Sequence, residues 1–343
     1  MHYRSCTSGV NLLEVNTCER SILRVTKAAM FAIPMLQVVA LRHNRRAENF
    51  IRTPVYSGEP IERHMRLNQE QFDHLVDYFH GWRQANHQRN GQVNASTSSR
   101  RMKTFLHYLA SGGFHRQVGY AVGYAKPTAI LHVTEVSDFF FDIAARHISF
   151  PEQDEFDQLA QPLVDIDGVE RQVILFIDGV IVKIQKPDRA GDAYYCGRPG
   201  KCCDSINVQY VVDRFGRVRH VISGVPGSTH DKTAAEWSRE LFDFLDQLPE
   251  EYVMLGDPAY RNLHRSVLIT FTGNNLRQEQ LDFNNRCTRL RQIVERSIGC
   301  TELIWRINQL KENRYAAKYG PVFPSKCTVA TCVLHNIYTN FLA

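Results

Sequence analysis

Val173-Ile174-Leu175-Phe176-Ile177-Asp178-Gly179-Val180-Ile181-Val182 is the stretch on which the reading of this chain turns. Its apolar, β-branched residues predict a strand over Val173 to Ile184. A carboxylate inside such a run is costly unless it is paired, hydrogen-bonded or bound to a metal. Gly179 beside it leaves room for a close ligand. The alternative for Asp178 is a strand-end aspartate facing solvent.

Working outward, Ile206 to Val212 and Val218 to Val225 predict two more strands around the turn Asp213-Arg214-Phe215-Gly216, making a three-strand meander. Thr229 to Leu248 has the spacing of a long amphipathic helix. Tyr252 to Leu255 is a short apolar strand ending in Gly256-Asp257-Pro258, and Leu281 to Trp305 predicts a helix. This order of strands and helices suits an α/β fold, a mixed sheet flanked by helices. Asp257 alone would read as a turn residue. Two acids at the ends of central strands say more, because sites in open α/β sheets gather there. Glu295 lies in Arg291-Gln292-Ile293-Val294-Glu295-Arg296, where the plain reading is a surface glutamate paired with Arg291. Asp231 follows His230 at a helix start, where the helix dipole favours an acid and a capping role competes with a ligand role.

The first half has a different period. Asn68 with Gln71 fits a capping box ahead of Phe72, Leu75, Val76 and Phe79. Gln84 to Ser99 reads as a loop. Met102, Phe105, Leu106 and Leu109 predict a helix ending at Gly112-Gly113. His115 to Tyr124 predicts a short helix, and Pro127 opens another through Phe140. Residues 1–150 are thus expected to be mostly helical, with helix-turn-helix DNA binding and an ordinary helical bundle both open. The acidic, proline-containing stretch Pro151 to Asp167 marks a linker, taken as residues 151–171. Residues 172–343 would form the second domain.

Charge divides along the same line. Residues 1–150 carry 18 Lys and Arg against 11 Asp and Glu, and residues 151–343 carry 23 against 25. A basic half beside a slightly acidic half suits a nucleic-acid grip next to a carboxylate-rich site, with an ordinary basic surface as the alternative. The nine cysteines form no CxxC pair and no zinc spacing, which predicts reduced thiols in a cytosolic or nuclear protein. The apolar stretch Ala28 to Leu41, broken by Pro34 and Gln37, is too short to span a bilayer. It also has the wrong place and flanks for a signal peptide, so no membrane is expected. The basic run Arg42 to Arg46 could serve nuclear import or simply be solvated surface. No Ser-His-Asp order, phosphate loop or cysteine-nucleophile context competes. Carboxylates from separate elements can instead hold Mg²⁺ or Mn²⁺ for displacement at phosphorus. Arg198, Lys201 and His230 are candidate phosphate contacts, and Arg100, Arg101 and Lys103 candidate DNA contacts.

Several strings carry a resemblance. Phe176-Ile177-Asp178-Gly179, Tyr194-Tyr195-Cys196-Gly197-Arg198 and Ile206-Asn207-Val208-Gln209 resemble the transposases of the PIF/Harbinger superfamily. So do Pro226-Gly227-Ser228-Thr229-His230-Asp231, Gly256-Asp257-Pro258-Ala259-Tyr260, Phe283-Asn284, Val294-Glu295-Arg296 and Val333-Leu334-His335-Asn336-Ile337. Their shared order spans roughly residues 172–340. The resemblance implies an RNase H-like DDE nuclease core with Asp178, Asp257 and Glu295 as its catalytic acids and metal ligands. It adds Asp231, of the His-Asp pair, as a further candidate ligand. It also implies DNA substrates, a nuclear location and a Myb/SANT-like partner protein. This chain has Gly-Asp-Pro-Ala-Tyr where the family often has Gly-Asp-Ser/Ala-Gly-Tyr, and Lys232 where a serine is common. Asp204 stands where a basic residue or histidine is usual. Three functions follow: a metal-dependent DNA endonuclease or transposase, a domesticated DNA-binding protein that no longer cleaves, and a phosphohydrolase acting on small esters.

Overall fold

The computed structural model describes residues 64–86, 94–188, 192–309 and 320–339. The apolar stretch and basic run between residues 28 and 46 lie outside them. Among the described residues four helices come first: α1 (Gln69–Asn86), α2 (Ala95–Ser111), α3 (His115–Val122) and α4 (Lys126–His147). The capping box at the start of α1 is present in both directions. Gln71 N–H donates to Asn68 Oδ1 at 2.8 Å and Asn68 N–H to Gln71 Oε1 at 3.0 Å. Gly112 and Gly123 end α2 and α3 in the left-handed region, at φ 60° and 83°. The loop expected over Gln84 to Ser99 is shorter, because α1 runs on to Asn86 and Asn94 caps α2 by accepting from Ser96 N–H at 2.8 Å. One of its polar residues, Ser98, is buried and accepts from the Arg83 guanidinium at 2.8 Å.

The segment expected to be a linker is built into the core instead. Helix α5 (Phe156–Leu159) and strand β1 (Gln161–Val164) lie within residues 151–171, and β1 pairs antiparallel with β2 (Glu170–Lys183). Phe156, Leu159 and Leu163 are buried, and Glu155 accepts from Arg219 at 2.8 Å. Apolar side chains at these spacings outweigh the acidic composition that suggests a spacer.

The sheet runs β3 (Tyr195–Cys196), β4 (Cys203–Asp213), β2, β6 (Tyr252–Gly256), β7 (Val267–Ile269), with β5 (Val218–Pro226) on β4. β2 is antiparallel to β4 and parallel to β6. The expected long helix over Thr229 to Leu248 is two: α6 (Asp231–Glu236) and α7 (Arg239–Gln247). Ser238 divides them by capping α7, accepting from Leu241 N–H at 3.2 Å. Helix α8 (Gln278–Ile304) covers one sheet face and α5, α6 and α7 the other, giving the expected mixed sheet flanked by helices. Phe176, Tyr210, Val253 and Leu255 pack toward Val294 and Ile298 of α8. Ile177, Val211 and Met254 pack toward Ala234, Leu241 and Leu245.

The last helix, α9 (Val322–Thr339), crosses the expected domain boundary. Its Cys327, Ala330, Val333 and Leu334 join one buried cluster with Phe79, Phe105 and Phe140 of the N-terminal helices. Asn336 clamps the junction: its amide donates to His147 O and Val218 O at 2.7 Å each, and its Oδ1 accepts from Val218 N–H at 2.8 Å. Inside the helical layer, Glu135 takes both Arg83, at 3.0 Å, and Arg101. Arg101, a candidate DNA contact from sequence, is thus turned to an interior ion pair, with burial pushing its guanidinium down to about 10. Arg100 and Lys103 remain exposed on α2. Replacing Glu135 by alanine leaves two buried guanidinium groups without this partner, and urea unfolding should register a loss of about 3 to 5 kcal/mol.

Candidate active site

Asp178 is where it is because β2 is central. β6 runs parallel to β2 with Phe176 opposite Leu255, so continuing the register two residues brings Asp257, just past the end of β6, level with Asp178 inside β2. A two-residue step keeps the side of the sheet. Both acids therefore belong to the face of Phe176 and Leu255, which packs on α8. Asp178 Oδ2 accepts from Arg291 of α8 at 3.1 Å, and its Oδ1 accepts from Gly179 N–H at 2.8 Å. Glu295 stands one helical turn beyond Arg291, on the exposed side of α8. The plain sequence reading gave Arg291 to Glu295; in the fold its guanidinium reaches across to Asp178. Asp257 caps the short 3₁₀ turn Pro258–Tyr260, accepting from Ala259 N–H at 2.8 Å.

Burial pushes the Asp178 carboxyl above the usual range. Arg291 and the Gly179 N–H oppose that, and the negative charges of Asp257 and Glu295 reinforce it. Asp257 and Glu295 thus both act electrostatically on Asp178. Among the described residues no three His, Cys, Asp or Glu side chains, as they stand, lie close enough together to hold a metal ion. The donors fit a different kind of site: all are carboxylate oxygens, and Mg²⁺ binds through one or two carboxylates while keeping waters and sharing its shell with phosphate.

Asp231 is treated differently. It begins α6, after His230 in the capping position, and approaches β2 from the opposite face. A Cβ built on Gly179 would lie 2.8 Å from Asp231 Oδ1 and 2.6 Å from Gln209 Nε2, so Asp231 sits on the side to which Gly179, not Asp178, points. Its carboxylate accepts from Asn207 Nδ2 at 2.8 Å, Gln209 Nε2 at 3.3 Å and Arg198 Nη1 at 3.0 Å. Arg198 is thereby a carboxylate clamp, also donating to Thr229 O at 3.0 Å. His230 is exposed. Lys201 is exposed and lines a hollow of about 660 Å³ with Lys183 and Lys186, and none of the four acids lines it. Gln209, Asn207 and Tyr260 were not singled out from sequence as site residues. The signal for the two amides is the alternation Ile206-Asn207-Val208-Gln209-Tyr210, which puts both on one face of a strand buried from Ser205 to Asp213.

Residues 177–336 match the DDE superfamily endonuclease family. That stretch is similar to a DDE superfamily endonuclease domain. The match spans Asp178, Asp231, Asp257 and Glu295 and all but the outermost residues of the strings behind the Harbinger resemblance, which stands. The proteins called "Putative nuclease HARBI1" from mouse and rat are 27% identical to this chain over 233 residues, and the human one is 25% identical. Each alignment covers 68% of this chain and 64% of the relative, so the chain spans about two thirds of the length of these curated relatives. No solved structure matches it.

Two variants test this geometry. A carboxyl whose folded pKa lies above its unfolded value costs stability at higher pH, and the cost disappears as pH falls through the folded pKa. Asp178→Asn removes that charge, so thermal unfolding at pH 7 should find it at least as stable as the wild type. Gly179→Ala forces a Cβ against Gln209 and Asp231 and should lose about 1 to 3 kcal/mol.

Proposed function

We propose that this protein is a divalent-metal-dependent DNA endonuclease of Harbinger type, with transposition chemistry within its reach. One observation carries the reading. Asp178 lies within β2 and Asp257 directly follows the neighbouring parallel strand β6, both on the face covered by the Glu295 helix, and the charges of Asp257 and Glu295 bear on the partly buried Asp178 carboxyl. Asp178, Asp257 and Glu295 are the residues that would hold Mg²⁺ or Mn²⁺. When bound, such ions activate an attacking oxygen and stabilise a leaving one at phosphorus. The chain supplies the rest. Burial of Asp178 strengthens its hold on a cation relative to an exposed carboxylate. Arg291 neutralises Asp178 until substrate arrives. Asp231 serves as a hydrogen-bond hub and not as a ligand, because Asn207, Gln209 and Arg198 already engage both of its oxygens.

DNA is the proposed substrate, gripped by exposed basic residues that include Arg100 and Lys103 of α2. A nuclear location and a Myb/SANT-like partner go with that reading. A second reading is a DNA-binding protein that has lost cleavage. The Arg291–Asp178 ion pair and the open spacing of the acids favour it.

Nicking of supercoiled plasmid by the purified chain with Mg²⁺ or Mn²⁺ separates the two. The expected outcome is metal-dependent nicking that falls at least about a hundredfold in Asp178→Asn, Asp257→Asn and Glu295→Gln, with DNA binding retained. DNA binding without nicking in the wild type would establish the second reading. A DNA affinity insensitive to salt would point to small phosphate esters instead.

A further inference from the structure

On the face of β2 that points away from Asp178 runs a chain of buried polar groups. The Tyr260 hydroxyl donates to Gln209 Oε1. Gln209 Nε2 donates to Asn207 Oδ1 at 2.7 Å and to Asp231 Oδ1 at 3.3 Å. Asn207 Nδ2 donates to Asp231 Oδ1 at 2.8 Å and to Thr229 O at 3.0 Å, and Arg198 closes the chain on Asp231. Asn207 and Gln209 are 0% exposed and Tyr260 1%. Every link joins a donor to an acceptor, and none of Asn207, Gln209, Asp231 or Tyr260 has a buried side-chain N or O left without a partner.

The two ends of this chain are the two acid-bearing segments. Tyr260 closes the 3₁₀ turn that Asp257 caps. Gln209 is the register partner of Gly179, and the Gln209 amide and Asp231 carboxylate press on Gly179 so closely that no Cβ would fit. Gly179 in turn holds Asp178 Oδ1 through its N–H. A buried network whose members are all satisfied permits one arrangement and resists others. The phenol stays a donor because burial, with the charges of Asp178, Asp231 and Asp257, pushes its ionisation well above the usual range.

We propose that the Tyr260–Gln209–Asn207–Asp231 network is the device that sets the Asp257 turn against Asp178. Gln209 and Tyr260 are positioning residues that touch neither substrate nor reacting atoms. Its bearing on catalysis rests on the nuclease reading above; the mechanical coupling does not.

The test uses the full chain and the variant Tyr260→Phe, which removes one hydroxyl and keeps the ring. Val133→Ala, a core truncation in the helical layer, serves as a control for general loss of stability. Hydrogen exchange is measured without metal or DNA. In Tyr260→Phe, exchange should rise at least threefold in peptides containing Gly179 and Asp231 as well as in the 257–262 turn. Val133→Ala should leave all three unchanged. A change confined to residues 257–262 overturns the proposal. Thermal shift with Mn²⁺ alone then reads the consequence. The Mn²⁺ concentration for half-maximal stabilisation should rise about tenfold in Tyr260→Phe but not in Val133→Ala. An unchanged midpoint, where Asp178→Asn abolishes the response, also overturns the positioning role. A Mn²⁺ response equal in wild type and Asp178→Asn counts against the nuclease reading, and the exchange result still decides the network.

Discussion

The structure depends on β2 being hydrogen-bonded on both edges and covered on both faces. β4 takes one edge, β6 takes the other, and helices close over each side. A charge on such a strand has limited access to water, so its surroundings must answer it. Asp178 is answered by Arg291 from α8 and by the N–H of Gly179. Residue 179 is small for another reason: Gln209 and Asp231 press on it from the opposite face. The parallel neighbour β6 ends beside Asp178 and delivers the second acid without any long-range adjustment.

The fold treats its carboxylates unequally. Asp231 is surrounded by donors and tied to Arg198, the environment of a structural anion. Asp178 has one guanidinium and one backbone N–H, and two further acids act against it. A carboxylate held in that state is a cost to the folded protein, and natural sites keep such costs where a ligand relieves them. This contrast separates the roles of the two aspartates more sharply than their separation in sequence.

The helical layer is part of the same body of packing. Its core is completed by α9 from the far end of the described chain, and Asn336 joins the end of α4 to the start of β5. Glu135 draws Arg83 and Arg101 inward, so the basic excess of the first half overstates the positive charge offered at the surface. Arg100 and Lys103 stay outside because they occupy the other side of α2.

Sequence by itself determined the strands around Asp178, the α1 capping box, the glycine stops of α2 and α3, and the candidacy of Asp178 and Asp257. Each is a local matter of side-chain period, capping chemistry or a carboxylate in an apolar run. Ordered motifs added Glu295 and Asp231. Only the tertiary structure decided which partner each charged group takes. Arg291 could have paired with Glu295 within its helix, and Arg101 could have faced solvent. Residues 151–171 could have been a spacer, and Asp231 could have shared a face with Asp178. None of these choices is local. Each depends on which faces of distant elements meet, and pairing energies are settled by that meeting and by the water it excludes.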